Sequence, residues 1–266
     1  MGTRVIQASV IALVALTAPT ARSADLFSTD WAASAKSQAR LVAAGDDLAG
    51  FEIRLAPRAI TYWRDPGDAG VPPTFDFSGS DNVLKVEPVF PAPERIAESD
   101  GSEAFGYEQG VVLPLRVEPR DPAKPVTLAV YVNYAVCERI CLPARARLKL
   151  TLPDAPSPYA GLVEAALDEA PRPVPPKEFG DLSPDGADKW RLCTPHETGK
   201  SLDLFVEAPE GWRIAAKPAP HDASSDCFRL TLIEKTKDAD LPVALRLTMT
   251  GGRGPIETMI EAGRLK

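Results

Sequence analysis

Histidine is nearly absent from this chain of 266 residues: His196 and His221 are the only two. Methionine (3), tryptophan (4) and cysteine (4) are almost as scarce, and aromatic residues make up 7% of the sequence. Two histidines in the last third of the chain leave no basis for a Ser/His/Asp triad or a histidine-rich metal centre. Basic residues are in deficit, 30 Lys+Arg against 37 Asp+Glu for a net charge of −7, so nucleic acid and anionic membrane surfaces are poor partners. No apolar run approaches the ~20 residues of a membrane-spanning helix. A phosphate-binding loop is missing too. Gly251-Gly252-Arg253-Gly254 lacks the P-loop spacing and its Lys-Ser/Thr ending, and reads as a turn. Asp65, Asp68, Asp76 and Asp81 form no spaced pair suited to glycosidase or metal chemistry, and read as solvated loop acids.

Proline is plentiful instead (27 residues), with 44% apolar content to build a core. That mixture favours many short extended segments over a helical bundle. At the amino terminus, Arg4 precedes an apolar stretch over 5–16, broken by Gln7 and Ser9, and Ala21-Arg22-Ser23 follows. The pattern reads as a secretory signal over 1–23, cleaved after Ser23. Cleavage would remove Arg4, Arg22 and no acid, taking the formal charge from −7 to −9. The expected product is soluble and exported, and in an oxidising compartment Cys137, Cys141, Cys193 and Cys227 are expected to be paired.

Period-two patterns dominate from Leu48 onward. Phe51, Ile53 and Leu55 alternate with Glu52, Arg54 and Ala56, and further strands are predicted over 60–63, 83–90, 110–117, 126–136 and 144–152. Segment 30–43 is read as one or two helical turns, and 75–82 as a structured turn. Residues 159–169 carry Leu162, Val163, Ala166 and Leu167 at helical spacing, and Pro171, Pro173, Pro175 and Pro176 then make a stiff extended linker. Strand patterns resume over 201–208, 227–234 and 241–249. The expected fold is all-β: an antiparallel sandwich over 24–155, a short helix and proline-rich linker over 156–178, and a second, smaller β domain over 179–266.

The chemistry concentrates in Tyr134-Ala-Val-Cys137-Glu-Arg-Ile-Cys141-Leu-Pro143-Ala144. Strands flank the pair, and Glu138-Arg139-Ile140 is a normal hairpin connection. It sets Cys137 opposite Cys141, where facing Cβ atoms lie ~4.5–5.5 Å apart, close enough for a disulfide after modest adjustment. As a staple such a bridge is weak, on the order of 2 kcal/mol, because the loop it closes is short. Arg139 and Arg145 favour a thiolate here and Glu138 opposes it. Spacing alone leaves three readings open: thiol–disulfide exchange, a structural bridge, or a pair of metal ligands. Cys193 and Cys227 lie far apart in the chain, and a bridge between them would contribute roughly 3–4 kcal/mol, which suits a structural disulfide in a small exported domain. Cys193, His196, His221 and Cys227 offer a Cys2His2 zinc alternative, without standard finger spacing.

The cysteine stretch resembles the redox segment of the amino-terminal periplasmic domain of the DsbD/ScsB family of thiol:disulfide interchange proteins. A second stretch, Tyr62-Trp63-Arg64-Asp65-Pro66-Gly67-Asp68-Ala69-Gly70 with Pro72-Pro73 and then Phe75-Asp76-Phe77-Ser78-Gly79-Ser80, is similar to a loop segment that recurs in that family. Together they cover about 45–155. The resemblance implies an immunoglobulin-like sandwich in which Cys137 and Cys141 are the redox pair, with Cys137 forming the mixed disulfide. It implies a protein-disulfide reductase component without metal or small-molecule cofactor. Electrons would come from a DsbD/CcdA-like membrane electron donor and pass to periplasmic thioredoxin-like proteins. It also implies a loop that caps the cysteines. Tyr62, Trp63, Asp65 and Phe75, with Tyr134 and Pro143, are the candidate cap or partner-contact residues. Full-length members continue into a polytopic membrane domain and a thioredoxin-like domain, so a separate membrane donor is expected here. The competing reading is a non-enzymatic module, handling copper or zinc or serving assembly, with a structural Cys137–Cys141 bridge.

Overall fold

Hydrophobic alternation builds the first half of the molecule. The chain's structure, a computed structural model, describes residues 25–68, 70–98, 101–196, 201–222, 225–237 and 241–263. The expected signal segment 1–23 lies outside the described residues. The strands are β1 (Ala32–Ser34), β2 (Ser37–Ala43), β3 (Leu48–Leu55), β4 (Ile60–Gly67), β5 (Thr74–Asp76) and β6 (Val83–Pro88). They continue with β7 (Glu94–Ala97), β8 (Glu103–Glu108), β9 (Gly110–Pro119), β10 (Thr127–Cys137) and β11 (Cys141–Thr151). One sheet runs β1-β2-β3-β9-β6 and the other β11-β10-β4-β8-β7, with β5 also paired to β10. Leu41, Phe51, Leu113 and Leu115 from the first sheet meet Trp63, Leu128, Val132 and Leu148 from the second in one core. Burying each such large side chain stabilises the sandwich by about 1.5–3 kcal/mol. This is the antiparallel, immunoglobulin-like sandwich expected for this half of the chain.

The segment over 30–43 departs from its reading as helical turns: it forms β1 and β2, joined by a tight turn. Ala39, Leu41 and Ala43 supply the inward row of a strand, and pairing with β3 gives those side chains a face to cover. Packing, not propensity, decides such short apolar segments.

Helix α1 (Ala160–Asp168) follows β11 and lays Val163 onto the first sheet, where a Cβ added to Gly50 would come within 2.8 Å of it. The second half contains β12 (Arg172–Pro173), α2 (Pro176–Phe179), β13 (Asp181–Pro184), β14 (Lys189–Pro195), β15 (Asp203–Glu207), β16 (Arg213–Asp222), β17 (Ser225–Glu234), β18 (Val243–Thr250) and β19 (Ile256–Ala262). Two four-stranded sheets, β12-β19-β18-β15 and β13-β14-β17-β16, enclose a second core of Phe179, Trp190, Leu192, Leu204, Phe228 and Leu247. The proline-rich linker is extended, yet tied down: Arg172 and Pro173 pair in parallel with β19, and Val174 and Phe179 enter this second core. Strand β16 contains Pro218 and Pro220, which obscured it in the sequence; as an edge strand it has one side that needs no N–H donors.

The two sandwiches meet through β4, β7 and β8. Phe205 of β15 inserts into the first core, edge-on to Phe105 at 4.9 Å and to Trp63 at 6.0 Å. Arg64 forms a bidentate pair with Glu207 (2.9 and 2.8 Å) and reaches Glu257 at 2.7 Å. Arg95 holds Asp203 at 2.9 Å and Glu103 at 2.7 Å. Paired carboxylates and fork-shaped guanidinium groups fix mutual orientation as well as distance.

Candidate functional site

The hairpin of β10 and β11 is in register throughout, from Thr127↔Thr151 to Cys137↔Cys141. The alternation seen in sequence places Leu148 and Leu150 inward and leaves Glu138-Arg139-Ile140 as the tip. Cys137 and Cys141 are joined as a disulfide with Cα atoms 4.1 Å apart, the close spacing of a non-hydrogen-bonded pair. The two sulfurs differ in surroundings. Cys137 is 5% exposed in the small cluster formed by Ile60, Tyr62, Ala104 and Ala135. Cys141 is exposed at the start of β11.

Tyr62, in the middle of β4, reaches both. Its hydroxyl donates to Cys137 Sγ at 2.7 Å and lies 3.3 Å from Cys141 Sγ. Strand pairing explains the reach, because Val136↔Thr61 and Cys137↔Ile60 bring β4 beside the hairpin end. Burial first, and Glu98 second, push the Tyr62 pKa above its usual value, so the hydroxyl remains a donor across neutral pH.

Gly70 follows in the loop after β4 and lies against the Tyr62 ring. A Cβ at that position would sit 2.5 Å from Tyr62 Cε1 and 2.8 Å from Pro66 Cβ. A Gly70→Ala variant is therefore expected to push the ring off the sulfurs and speed reduction of the disulfide by small thiols; an unchanged rate would show that the ring position does not govern access. Beyond Gly70, Val71, Pro72 and Thr74 face Ala135, Cys141, Leu142 and Pro143 across a groove of ≈ 290 Å³. Ile140, 75% exposed, and Leu142 extend the apolar surface around the tip.

The one acid at the tip is neutralised. Glu138 accepts from Lys36 and from Arg58 (2.8 Å), and these bonds, Lys36 first, hold its carboxyl below its usual pKa. Lys36 and Arg58 both adopt left-handed backbone, φ 51° and 66°. Each such residue costs about 1–2 kcal/mol of local strain. Sequence reading missed both: they stand in the β1–β2 and β3–β4 turns, remote in sequence from the hairpin. Their grip offsets the charge with which Glu138 would oppose a thiolate.

The remaining sequence-derived candidates fall in different places. Tyr134 is buried, shares a hydrogen bond with Ser37 Oγ at 2.8 Å and packs edge-on against Phe51. Pro143 lines the groove. Phe75 lies on β5 opposite Val132 and packs with Phe51, Phe77 and Phe90. Trp63 is fully buried, contacts Phe205 and leaves Nε1 without a partner among the described residues. Asp65 accepts the Gly67 N–H at 3.1 Å, and burial above all raises its pKa. Cys193 and Cys227 form a disulfide across β14 and β17, with Cα atoms 4.2 Å apart. Bonded sulfurs offer no thiolate to a metal, and His196 faces Asp226 at 2.9 Å. The His221 side chain lies outside the described residues.

Tyr62, Tyr107 and Tyr134 all have pKa values raised by burial, Tyr107 well above the usual 10.0. Because the folded state holds these protons more tightly, their contribution is complete below pH ~10 and falls as the pH rises toward the folded values. Unfolding midpoints in urea are expected to decline above pH ~10; a flat profile there contradicts this.

The fold and this hairpin define a class: a β-sandwich presenting a cysteine pair at the end of two adjacent strands. Residues 28–153 match the family described as thiol:disulfide interchange protein DsbD, N-terminal. The crystal structure of the N-terminal periplasmic domain of ScsB from Proteus mirabilis matches with a TM-score of 0.71 at 20% identity, covering 91% of this chain and 100% of that one. That similarity carries the fold, and its coverage extends the likeness into the second sandwich. Comparison with curated proteins finds no match. No helix among the described residues is long and apolar enough to cross a membrane.

Proposed function

We propose that this chain is a periplasmic thiol–disulfide relay, exported by cleavage after Ser23, in which Cys137 and Cys141 cycle between disulfide and dithiol. The observation that carries the reading is the asymmetry of the pair: an exposed Cys141 beside an apolar groove, and a buried Cys137 that accepts a hydrogen bond from Tyr62. A staple needs neither an open sulfur nor a donor aimed at its partner. The match of residues 28–153 to the DsbD amino-terminal family supports the same chemistry.

The exchange runs in two displacements. A donor thiolate attacks Cys141 Sγ, the S–S bond breaks, and its electron pair passes to Cys137 Sγ, which takes up a proton with the Tyr62 hydroxyl donating to it. The donor's second thiolate then attacks its own mixed-disulfide sulfur and releases Cys141 as a thiolate. The donor dithiol has become a disulfide and the chain has gained two electrons. In the reverse sense the reduced pair reduces a thioredoxin-like acceptor. The donor in this scheme is a DsbD/CcdA-like membrane dithiol. Exposure favours Cys141 as the mixed-disulfide residue, in place of the Cys137 that the family resemblance implied.

Equilibration of the protein in glutathione buffers, with trapping of free thiols, tests the relay. The pair is expected to be reducible within the glutathione range. A potential far below about −300 mV would mark a structural bridge.

A further inference from the structure

Strand β11 is an edge of its sheet, and its exposure alternates strictly beyond Pro143. Ala144, Ala146, Leu148 and Leu150 point inward; Cys141, Pro143, Arg145, Arg147 and Lys149 share the outward face. The exposed redox sulfur thus heads a row of three cations. At ~3.3–3.4 Å per residue, Arg145 lies about 13 Å and Lys149 about 27 Å along the strand from Cys141.

Little beside the row balances its charge. The β10 residues opposite these cations, Asn133, Tyr131 and Ala129, are uncharged. None of the three forms an ion pair with a described residue. Arg147 stacks over the Tyr131 ring at 4.5 Å. Asp76 on β5, opposite Tyr131, borders the row. Its carboxylate accepts the Ser78 N–H at 2.9 Å, and that bond first, with the Arg147 charge as a lesser cause, holds its pKa below the usual value. Asp76 thus offsets part of the charge of Arg147 and leaves Arg145 and Lys149 without that offset. The groove at Cys141 has Arg145 on its lining and so runs directly into the row. All this occurs in a chain of net charge −7. Charges on an edge strand guard against strand-to-strand association, but either sign serves that purpose. A single-sign row that starts at the reactive sulfur also sets the register of an incoming partner.

We propose that the outward face of β11 is a docking track for the exchange partner, and that this partner carries acidic residues on the same face as its reactive cysteine, roughly 13–27 Å from it. The apolar groove takes the residues next to the partner's sulfur, and Arg145, Arg147 and Lys149 take its carboxylates. The inference rests on the exchange proposed above and names the kind of surface that exchange selects.

Three reduced peptides provide the test. Each has one cysteine, a four-residue neutral spacer, and then alternating Glu, Ser or Lys. Two peptide thiols reduce one Cys137–Cys141 disulfide and leave as a peptide disulfide. Rates are measured with the wild-type protein and with Arg145→Gln/Arg147→Gln/Lys149→Gln, at low and high salt. The quantity read is the preference for the Glu over the Ser peptide, taken as wild type over variant, which cancels peptide thiol pKa and any general change at Cys141. It is expected to be about tenfold at low salt and to vanish at high salt, with the Lys peptide showing the opposite sign. A ratio of one at low salt, with the Ser peptide reacting normally, overturns the track and leaves exchange standing. A Ser peptide that fails to reduce the wild-type disulfide overturns both.

Discussion

Cys137→Ser is expected to accumulate a stable mixed disulfide with an oxidised partner, its Cys141 thiolate displacing one sulfur of the partner's disulfide, whereas Cys141→Ser is not. The difference follows from burial. In Cys137→Ser the remaining sulfur is the exposed one, at the start of β11 beside the groove, and the sulfur that would displace a bound partner is gone. In Cys141→Ser the remaining thiol is 5% exposed beneath the Tyr62 hydroxyl. A partner protein must move the Tyr62–Gly70 segment to reach it, so trapping falls on the order of 100-fold, because exchange rates depend on access to the reacting sulfur. Turnover is abolished in both. Non-reducing gels of each variant after mixing with a disulfide-containing thioredoxin-like protein, quenched by acid, distinguish the two. Efficient trapping by Cys141→Ser together with none by Cys137→Ser would reverse the assignment and restore Cys137 as the mixed-disulfide residue.

Replacing Cys193 and Cys227 together by alanine is expected to cost about 3–4 kcal/mol of stability and to leave the potential of the Cys137–Cys141 pair unchanged. These residues are separated by 34 positions, and closing a loop of that length removes far more disorder from the unfolded chain than closing one across a separation of 4. The corresponding loss for Cys137 and Cys141 is about 2 kcal/mol. The longer bridge joins β14 to β17, and Trp190, Leu192, Phe228 and Leu230 on those strands belong to the second core, so the folded geometry persists in its absence. Urea unfolding of the two double variants gives the comparison directly. A smaller loss for the Cys193/Cys227 variant than for the Cys137/Cys141 variant would contradict the division into one structural and one exchanging bridge.

Much of the molecule follows from local pattern. The alternation from Thr127 to Val136 and from Ala144 to Thr151, with three residues between the cysteines, specifies the hairpin and its register, because strand period and turn length are short-range properties. Helix α1 was legible for the same reason. Strands β7 and β8 were not: Arg95 and Glu103 break the apolar alternation, since these side chains serve the junction with the second sandwich. Segment 30–43 misled because a short apolar run fits either state until β3 pairs with it.

By itself the sequence determined that Cys137 faces Cys141 across a strand pair, that the fold is all-β, and that the chain resembles the DsbD/ScsB family. Tertiary structure alone decided which sulfur is open. The Tyr62 hydroxyl comes to Cys137 from a strand 75 residues away, and Lys36 reaches Glu138 across 102. No spacing rule encodes such contacts. They arise when two sheets close on a shared core and bring remote turns to the same end of the sandwich.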